Sequence, residues 1–531
     1  MTASYFSIIY LAAFLPAVML CYNLVPQKHR NKVLLGASYL FFFLISKKLI
    51  IYLLLSTVSV YYFGLWMAKI LAQKKAALAA AEKAEKKTIK AAYQRRLRHI
   101  VTAAVVLHIG VLVVLKYTAF FSTNLNVLLE SLDAAFRLPV PKFMLPIGIS
   151  FYTLQAASYL FDVYRGVVQA DRNFGRVALF MSFFPQIIEG PICRYGQTAQ
   201  SLWDCRKITY RSLTFGMQRI LFGLMKKKII ADRLNMFIVA VFDEYAKFDG
   251  GVIFVAMLCY TFQLYMDFSG TLDVVIGSGE IFGVKLPENF RQPFFSKTIS
   301  EFWSRWHITL GTWFKDYIFY PMSTSKPLKH LTMWGRKRLG NHFGPLLAGS
   351  IALFTVWICN GLWHGDDWKY IFFGLFHFAL ILTGNIVDPF AKSLCGRLHI
   401  NRQSVPYKGM QILRTVLLVN VGELFFRATN LTAGLAMFRK MVTDFSFRSI
   451  ADGTILTLGM DRADFVITVL FAVGLIAVGI LREKGIPLRE RVAAKPIALR
   501  WAVYYAMIMA IVIFGAYGVG YIPVDPIYAN F

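Results

Sequence analysis

The sequence predicts an all-helical integral membrane protein that crosses the bilayer many times. Of its 531 residues, 57% are apolar and only 16% are charged, whereas a soluble domain carries about 25% charged residues. The mean hydropathy of +0.53 agrees with this class. Apolar segments recur along the whole chain, and about 20 apolar residues suffice for one spanning helix. These observations exclude a disordered, fibrous or water-soluble protein as a description of the whole chain.

The apolar segments define the candidate spans, and because several are short we expect about eleven crossings. In chain order they are residues 4–24, 33–46, 49–71, 100–117, 143–162, 212–225, 251–276, 344–363, 367–387, 410–427, 465–481 and 501–520. The first is interpreted as a retained helix, because no small-residue cleavage site follows it. The apolar stretch 174–192 is interrupted by Pro185, Gly190 and Pro191. Such backbone is tolerated at membrane depth only when protein buries it, so we expect a re-entrant or interfacial segment here.

Basic clusters predict the orientation of the chain. One cluster lies at residues 28–32, after the first span, and nine Lys or Arg residues lie between Lys74 and Arg98. Two short crossings separate the clusters, which places both on one side, and the positive-inside rule makes that side the cytoplasm. The N-terminus is then outside. The pair Lys47 and Lys48 would face outward, which counts against this scheme. Segment 73–99 is predicted to be a cytoplasmic, charged, solvated helix.

The net charge of +29 also fits a membrane protein. Cytoplasmic loops collect Lys and Arg, and such loops lie against anionic lipid headgroups. No basic stripe with interleaved aromatic residues occurs outside the apolar segments, so the expected partner is the lipid bilayer and not nucleic acid. The six cysteines are scattered without a C-x-x-C motif, which argues against a disulfide framework or a zinc site. The signatures of soluble hydrolases, nucleotide-binding proteins and metalloproteases are missing from the sequence.

Ionisable residues in apolar segments are the candidates for chemistry, because each costs about 2.5–3.5 kcal/mol at a helix centre. The densest cluster runs from Asp267 to Asp316 and mixes charged residues with tryptophans. It is too polar to face lipid and too aromatic for a free loop, so a cavity-lining segment is expected.

A second cluster, NGLWHGDDWKY, contains His364 at the end of an apolar span. Histidine titrates near neutral pH, so His364 could take a proton from a hydroxyl nucleophile. The alternative is a histidine that caps a helix end at the membrane interface. A metal site with Asp366 and Asp367 is not expected, because no second histidine lies at zinc spacing.

Three further groups of polar residues in apolar segments can be interpreted as structural. His377 lies in a Phe-rich span, where helix packing is the favoured interpretation. Glu423 and Arg427 are four residues apart and are expected to form a structural pair on one helix face. The run at residues 226–228 could attract an anionic donor or could anchor the chain as a positive-inside cluster.

Several segments together resemble the membrane-bound O-acyltransferase (MBOAT) family. RWHITLGTWFKDYIFYP contains His307, and GLWHG with His364 follows 57 residues after it. Further segments resemble the bacterial branch that includes alginate O-acetyltransferase membrane subunits and teichoic-acid D-alanyl transferases. They are PIGISFYTLQAASYLFDVYRG (146–166), FFPQIIEGPICRYGQ (183–197), GLMKKKIIADRL (223–234), MDFSGTLDVVIGSGEIFG (266–283) and ELFFRATN (423–430). The set is in the family's order and covers nearly the whole chain.

The resemblance implies one MBOAT transmembrane domain over residues 1–531, with spanning and re-entrant helices around a central tunnel. It implies an O-acyltransferase in the bacterial cytoplasmic membrane that passes an acyl group, expected to be acetyl, from a cytoplasmic thioester to a cell-envelope polysaccharide. Acetyl-CoA is the expected donor substrate, and no permanently bound cofactor or metal is expected. The resemblance also implies a secreted or membrane-tethered, esterase-like partner that receives the acyl group.

The same resemblance assigns site residues within a catalytic core segment, 266–364. The family's catalytic histidine corresponds to His364, and the other tunnel histidine corresponds to His307. The remaining candidates, expected to line the tunnel and orient the donor, are Asp267, Ser269, Asp273, Trp303, Arg305, Trp306, Asp316 and Trp363.

The chain departs from the family pattern at three places. Asp366 and Asp367 follow W-H-G where many relatives have Ala-Ser, residues 322–325 replace a Gly-rich turn, and Glu423 stands where a Trp is usual. These differences indicate a subgroup with its own acceptor or partner. The alternatives are D-alanyl transfer to teichoic acid, whose enzymes are usually shorter, a non-enzymatic polysaccharide transporter or channel, and a membrane scaffold.

Overall fold

The computed structural model describes residues 4–517 and Tyr521, and within them the regular secondary structure is entirely helical. This confirms the predicted fold class. Contacts divide the described chain into two compact units, residues 4–217 with 275–287 and residues 218–274 with 288–517. The single domain inferred from the sequence stays a prediction.

The first unit begins with a π-helix, Ile9–Phe14, and contains a 3₁₀ turn at Lys47–Leu49. Its α-helices are α1 (Leu15–Leu24), α2 (Gln27–Ser46), α3 (Ile50–Ala80), α4 (Lys86–Ser131), α5 (Ile149–Arg165), α6 (Phe174–Ser182) and α7 (Tyr195–Asp204). Two helices contribute residues to both units, α8 (Tyr210–Leu224) and α10 (Gly250–Ile281).

The second unit contains π-helices at Met225–Ala231 and Lys315–Phe319 and 3₁₀ turns at Tyr245–Lys247, Pro293–Phe295 and Thr454–Thr457. Its α-helices are α9 (Asp232–Asp243), α11 (Ile299–Arg305), α12 (Ile308–Phe314), α13 (Tyr320–Ser323), α14 (Lys326–His364), α15 (Trp368–Arg397), α16 (Val405–Arg427), α17 (Leu431–Thr443), α18 (Arg448–Ala451), α19 (Arg462–Glu483), α20 (Leu488–Ala493) and α21 (Ile497–Phe514).

Eight helical stretches of the described chain are long and apolar enough to cross a membrane, fewer than the eleven crossings expected. They are Gln27–Ala80, Lys86–Ser131, Gly250–Ile281, Lys326–His364, Trp368–Arg397, Val405–Arg427, Arg462–Glu483 and Ile497–Phe514. The first contains two predicted spans, joined by the turn at Lys47. Three other predicted spans fall on Ile9–Leu24, on the 17-residue α5 and on the 15-residue α8. All three are shorter than the roughly 20 residues that a full crossing needs.

The segment predicted at 174–192 is buried from Val177 onward, as its proline-interrupted backbone requires. Helix α6 ends at Ser182, irregular chain follows, and residues 177–193 are buried throughout. The N-cap of α5 explains one neighbouring glycine. Gly148 has φ 72°, and a β-carbon there would lie 1.9 Å from the carbonyl oxygen of Ile187, so only glycine fits.

The charged segment 73–99 is not the single solvated helix predicted from its composition. Helix α3 ends at Ala80 and α4 begins at Lys86, so the segment forms the tip of a helical hairpin. The turn has no Gly or Pro to mark it in the sequence. Helix α4 packs back along α3, and this long-range pairing overrides the local helical pattern.

Candidate active site

A helical hairpin places His364 in the second unit. Helix α14 bends at Gly340, where φ is 78°, and continues to His364 as its last residue. An added β-carbon on Gly365 would lie 2.2 Å from the ring of Tyr370, which is why a residue without a side chain follows the histidine. Asp367 then caps α15, because its carboxylate accepts the Lys369 amide at 2.8 Å.

The environment of His364 is aromatic. The residue is 5% exposed, and its ring centroid lies 5.9 Å from that of Phe373 and 5.2 Å from that of Phe426. Phe426 belongs to the ELFFRATN segment, whose Ala428 carbonyl accepts the ammonium of Lys369 at 2.8 Å. This segment therefore packs against the histidine and fastens the end of α16 to the start of α15.

His307 is held in an unusual backbone conformation. It is the N-cap of α12 with φ 46°, in the left-handed region, yet its side chain does not cap the helix. Asn289 does so instead, since its side-chain oxygen accepts the backbone N–H of Thr309 at 2.8 Å. The imidazole is 3% exposed and packs on Phe268 at 4.9 Å between ring centroids. His307 lies outside the spanning helices, and burial lowers its pKa to about 3, so the ring is neutral near pH 7.

Trp363 contacts both histidines. Its indole lies 5.7 Å from the imidazole of His307 and 5.0 Å from that of His364, each pair edge to face. The structure therefore brings together three of the predicted site residues, which come from two different segments. Two imidazoles on one indole place nitrogens that can exchange protons in an aromatic environment.

A hydrogen bond that the sequence did not predict links the two histidine-bearing segments. The Trp303 indole N–H on α11 donates to Nδ1 of His377 on α15 at 3.2 Å. His377 is fully buried, and Phe373 packs on both His377 and His364. Helix packing was the interpretation of His377 from sequence, and the structure confirms it with a hydrogen bond added. The only available signal was a histidine within a Phe-rich span.

Trp306 belongs to an aromatic cluster beside a cavity. Its ring stacks on Phe302 at 5.4 Å and also contacts Tyr265 and Phe294. Tyr265 and Phe294 line a cavity of about 390 Å³ with mainly apolar side chains from α8, α10, α16 and α19. Lys226 and Arg482 are its cationic lining residues.

The predicted tunnel residues on α10 form buried ion pairs. Asp273 accepts the ammonium of Lys226 at 2.7 Å, and Ser269 accepts it at 3.1 Å. Asp267 pairs with Lys227 at 2.5 Å, and both side chains are 1% exposed. The lysine run at 226–228 was expected to attract a donor or to anchor the chain at the interface. Lys226 and Lys227 instead turn inward and neutralise aspartates, since the π-helix Met225–Ala231 presents them to α10.

Arg305 and Asp316 lie nearer the surface. Arg305 pairs with Glu301 at 2.8 Å and with Glu483 at 2.9 Å, which ties α11 to the end of α19. Asp316 is half-buried on the π-helix Lys315–Phe319. The roles in donor binding expected for these residues and for the α10 residues stay predictions.

The predicted pair between Glu423 and Arg427 is wrong. Arg427, at the last position of α16, reaches across to Asp243 at 3.8 Å and lies over the ring of Phe242. Glu423 is 2% exposed and forms no ion pair within the described residues. Arg427 pairs with Asp243 on α9 and not with Glu423 on its own helix, because the side chain of Glu423 points into the interior. Among residues 4–517 and 521, no group of three or more His, Cys, Asp or Glu side chains could hold a metal ion.

Comparisons with known proteins show the family of the chain. The family model of the membrane-bound O-acyltransferases matches residues 165–334. A probable alginate O-acetylase, AlgI, of Azotobacter vinelandii is 32% identical over 83% of this chain and 77% of its own length. A peptidoglycan O-acetyltransferase of Helicobacter pylori is 31% identical over 62% of this chain and 61% of its own. A teichoic acid D-alanyltransferase of Bacillus subtilis is 31% identical over 46% of this chain and 60% of its own.

The fold and these relatives define a multi-pass membrane enzyme that transfers acyl groups to hydroxyl groups. The chain belongs to the membrane-bound O-acyltransferase family. This confirms the resemblance drawn from the sequence motifs, including the segment around His307, which lies inside the matched region.

Proposed function

We propose that this chain moves an acetyl group from a cytoplasmic thioester, such as acetyl-CoA, across the membrane for O-acetylation of a cell-envelope polysaccharide. The observation that carries the proposal is the pair of buried histidines, His307 and His364, on the indole of Trp363. A relative that is 32% identical over most of both chains and is named for alginate O-acetylation supports the acetyl group and the polymer.

In the proposed reaction His364 is the general base. Its imidazole takes the proton of an acceptor hydroxyl while that oxygen attacks the thioester carbonyl. The tetrahedral intermediate collapses with cleavage of the carbon–sulfur bond, and the thiolate recovers the proton from His364. A placed general base contributes about 10²–10⁴ in rate, and positioning and oxyanion stabilisation supply the remainder. His307, neutral and fixed by the Asn289 cap, orients the donor.

The cavity beside Trp306 is the proposed donor chamber. Its apolar walls suit an extended thioester arm, and Arg482 suits an anionic donor, whereas Lys226 is already paired with Asp273. The chamber shares Tyr265 and Phe294 with the aromatic cluster of Trp306, which immediately precedes His307 in the chain. This continuity supports delivery of the acyl group toward the histidines.

Acetyl transfer is favoured over D-alanyl transfer by the extent of the likeness. The alginate relative matches 83% of this chain, whereas the teichoic acid D-alanyltransferase matches 46%. A transporter or scaffold would have no need for two histidines packed on one indole. The chain also belongs to a family that is described as O-acyltransferases, which are enzymes.

A second protein is proposed to receive the acyl group. The polar stretches expected outside the apolar spans, residues 323–343, 388–408, 443–464 and 482–500, are about twenty residues each, too short for an independent domain. We infer a secreted or membrane-tethered partner with a Ser-His-Asp-type acyltransferase domain.

The proposed function is tested by the O-acetyl ester content of the envelope polysaccharide in cells with and without this chain. Esters should disappear without it and return with the wild-type gene, and an unchanged ester content would contradict the proposal.

The proposed direction requires the hairpin tip between α3 and α4 to lie in the cytoplasm of a bacterial inner-membrane protein with its N-terminus outside. Ala80 is exposed at the end of α3. In a variant without the six native cysteines, Ala80→Cys should resist a membrane-impermeant thiol reagent in intact cells and react after lysis. Equal labelling before and after lysis would reverse the orientation and the direction of transfer.

A further inference from the structure

A groove in the first unit indicates a binding site that is independent of the proposed catalytic reaction. It runs between α3 and α4, close to the tip of their hairpin, and has a volume of about 610 Å³. Its lining residues are Trp66, Ile70, Arg95, Arg96, His99, Ile100 and Ala103.

The lining residues divide into a charged end and an apolar end. Arg95 and Arg96 lie toward the hairpin tip, whereas Ala103 lies farther along α4. Arg95 and Ala103 are eight residues apart, which is about 12 Å at 1.5 Å per residue. On α3, Trp66 likewise lies farther from the tip than Ile70, and its side chain is 53% exposed. The groove therefore offers cations at one end and apolar contacts along a spanning direction.

The cationic end has no carboxylate to neutralise it. The groove lining contains no Asp or Glu, and no ion pair of Arg95 or Arg96 occurs in the described part of the chain. Arg96 lies over the ring of Tyr93 at 5.8 Å, a contact that leaves its guanidinium hydrogen-bonding positions available. Two uncompensated guanidinium groups at adjacent positions favour an anionic ligand.

Hydrogen bonds fix the walls of the groove. Lys74 on α3 donates to the side-chain oxygen of Gln94 on α4 at 3.2 Å. Gln94 in turn donates to the hydroxyl of Tyr164 on α5 at 2.8 Å. Gln94 immediately precedes the two arginines, so the chain of bonds holds their backbone against α3. A groove with fixed walls binds a ligand without the entropy cost of forming it.

We propose that this groove is a specific site for one anionic phospholipid. The phosphate would accept hydrogen bonds from Arg95 and Arg96, and an acyl chain would lie along Trp66, Ile100 and Ala103. A basic pocket between spanning helices suits such a headgroup. A zwitterionic phospholipid would bring a second cation to the arginines, and a soluble phosphate would leave the apolar end unfilled.

The test compares two double variants that remove the same charge from the hairpin. R95Q/R96Q alters the groove, whereas K86Q/K87Q alters exposed lysines at the start of α4, outside it. Native mass spectrometry of the purified full chain measures binding of phosphatidylglycerol, phosphatidylcholine and glycerol 3-phosphate. We expect one tightly bound phosphatidylglycerol on the wild type, affinity about 30-fold lower in R95Q/R96Q, and unchanged affinity in K86Q/K87Q. Trp66→Ala should also weaken binding while both arginines remain.

Three outcomes would overturn the site. Equal losses in the two double variants would mean that headgroups respond only to the general charge of the hairpin. Equal binding of phosphatidylcholine would remove the role of the arginines, and equal binding of glycerol 3-phosphate would remove the role of the apolar end.

Discussion

Replacement of His364 by alanine is expected to abolish acyl transfer and to leave the amount of folded protein unchanged. The imidazole is the proposed base, so its loss should lower the rate by at least about 10²–10⁴-fold. It lies at the end of α14 and makes edge-to-face contacts with rings that also contact one another. Polymer ester content and membrane protein level should be measured on the same cells.

A second histidine on the same helix provides the matched control. His342 is exposed on α14 and its ring is hydrogen-bonded to the carbonyl of Asn385 at 3.0 Å. His342→Ala should keep full activity. His364→Gln, which retains volume and hydrogen bonding but cannot serve as a base, should be as inactive as His364→Ala. Normal esterification in either His364 variant would refute the assignment of the base.

Replacement of Lys227 by methionine is expected to have the largest effect on stability. Its ammonium lies 2.5 Å from Asp267 and 3.1 Å from Asp232, and all three side chains are 1% exposed. Removal of one partner from a buried ion pair costs about 3–5 kcal/mol, because the remaining charge is left without compensation. We expect a strong loss of monodisperse protein in size-exclusion chromatography of detergent extracts.

Two further variants separate this structural role from donor binding. Lys228 pairs with Asp232 at 2.7 Å and is 21% exposed, so Lys228→Gln should be milder. The double variant Lys227→Met with Asp267→Asn removes both charges of the shorter pair and should recover part of the folded protein. A Lys227→Met protein that folds normally but needs more acetyl-CoA for half-maximal rate would show that Lys227 binds the donor instead.

Sequence alone predicted the elements whose signals are local. Hydropathy located the second half of α14, and Gly340 and Pro345 within the helix mark where that half begins. The motif around His364 predicted a histidine at the end of a span, and the structure places it there. Proline positions predicted that the segment 174–192 needs burial, and residues 177–192 of it are buried.

The features that the sequence did not predict depend on contacts between segments that are distant in the chain. Lys226 and Lys227 carry the same local pattern as an interfacial anchor, and only the approach of α10 turns them into partners of aspartates. The bond from Trp303 to His377 joins residues 74 positions apart. Glu423 and Arg427 have the spacing of a helical pair, yet Arg427 reaches Asp243 on another helix.

Transfer across a sealed membrane tests the proposed role of this chain. Purified protein is reconstituted in liposomes with acetyl-labelled acetyl-CoA inside, and with polysaccharide and the receiving partner outside. We expect labelled ester on the outer polymer with wild-type protein, none with His364→Ala, and none when the partner is omitted. Label on the polymer without the partner would place the acceptor site within these 531 residues. Equal labelling by wild type and His364→Ala, or none from wild type with the partner present, would refute the proposal that this chain carries an acyl group across the membrane through His364.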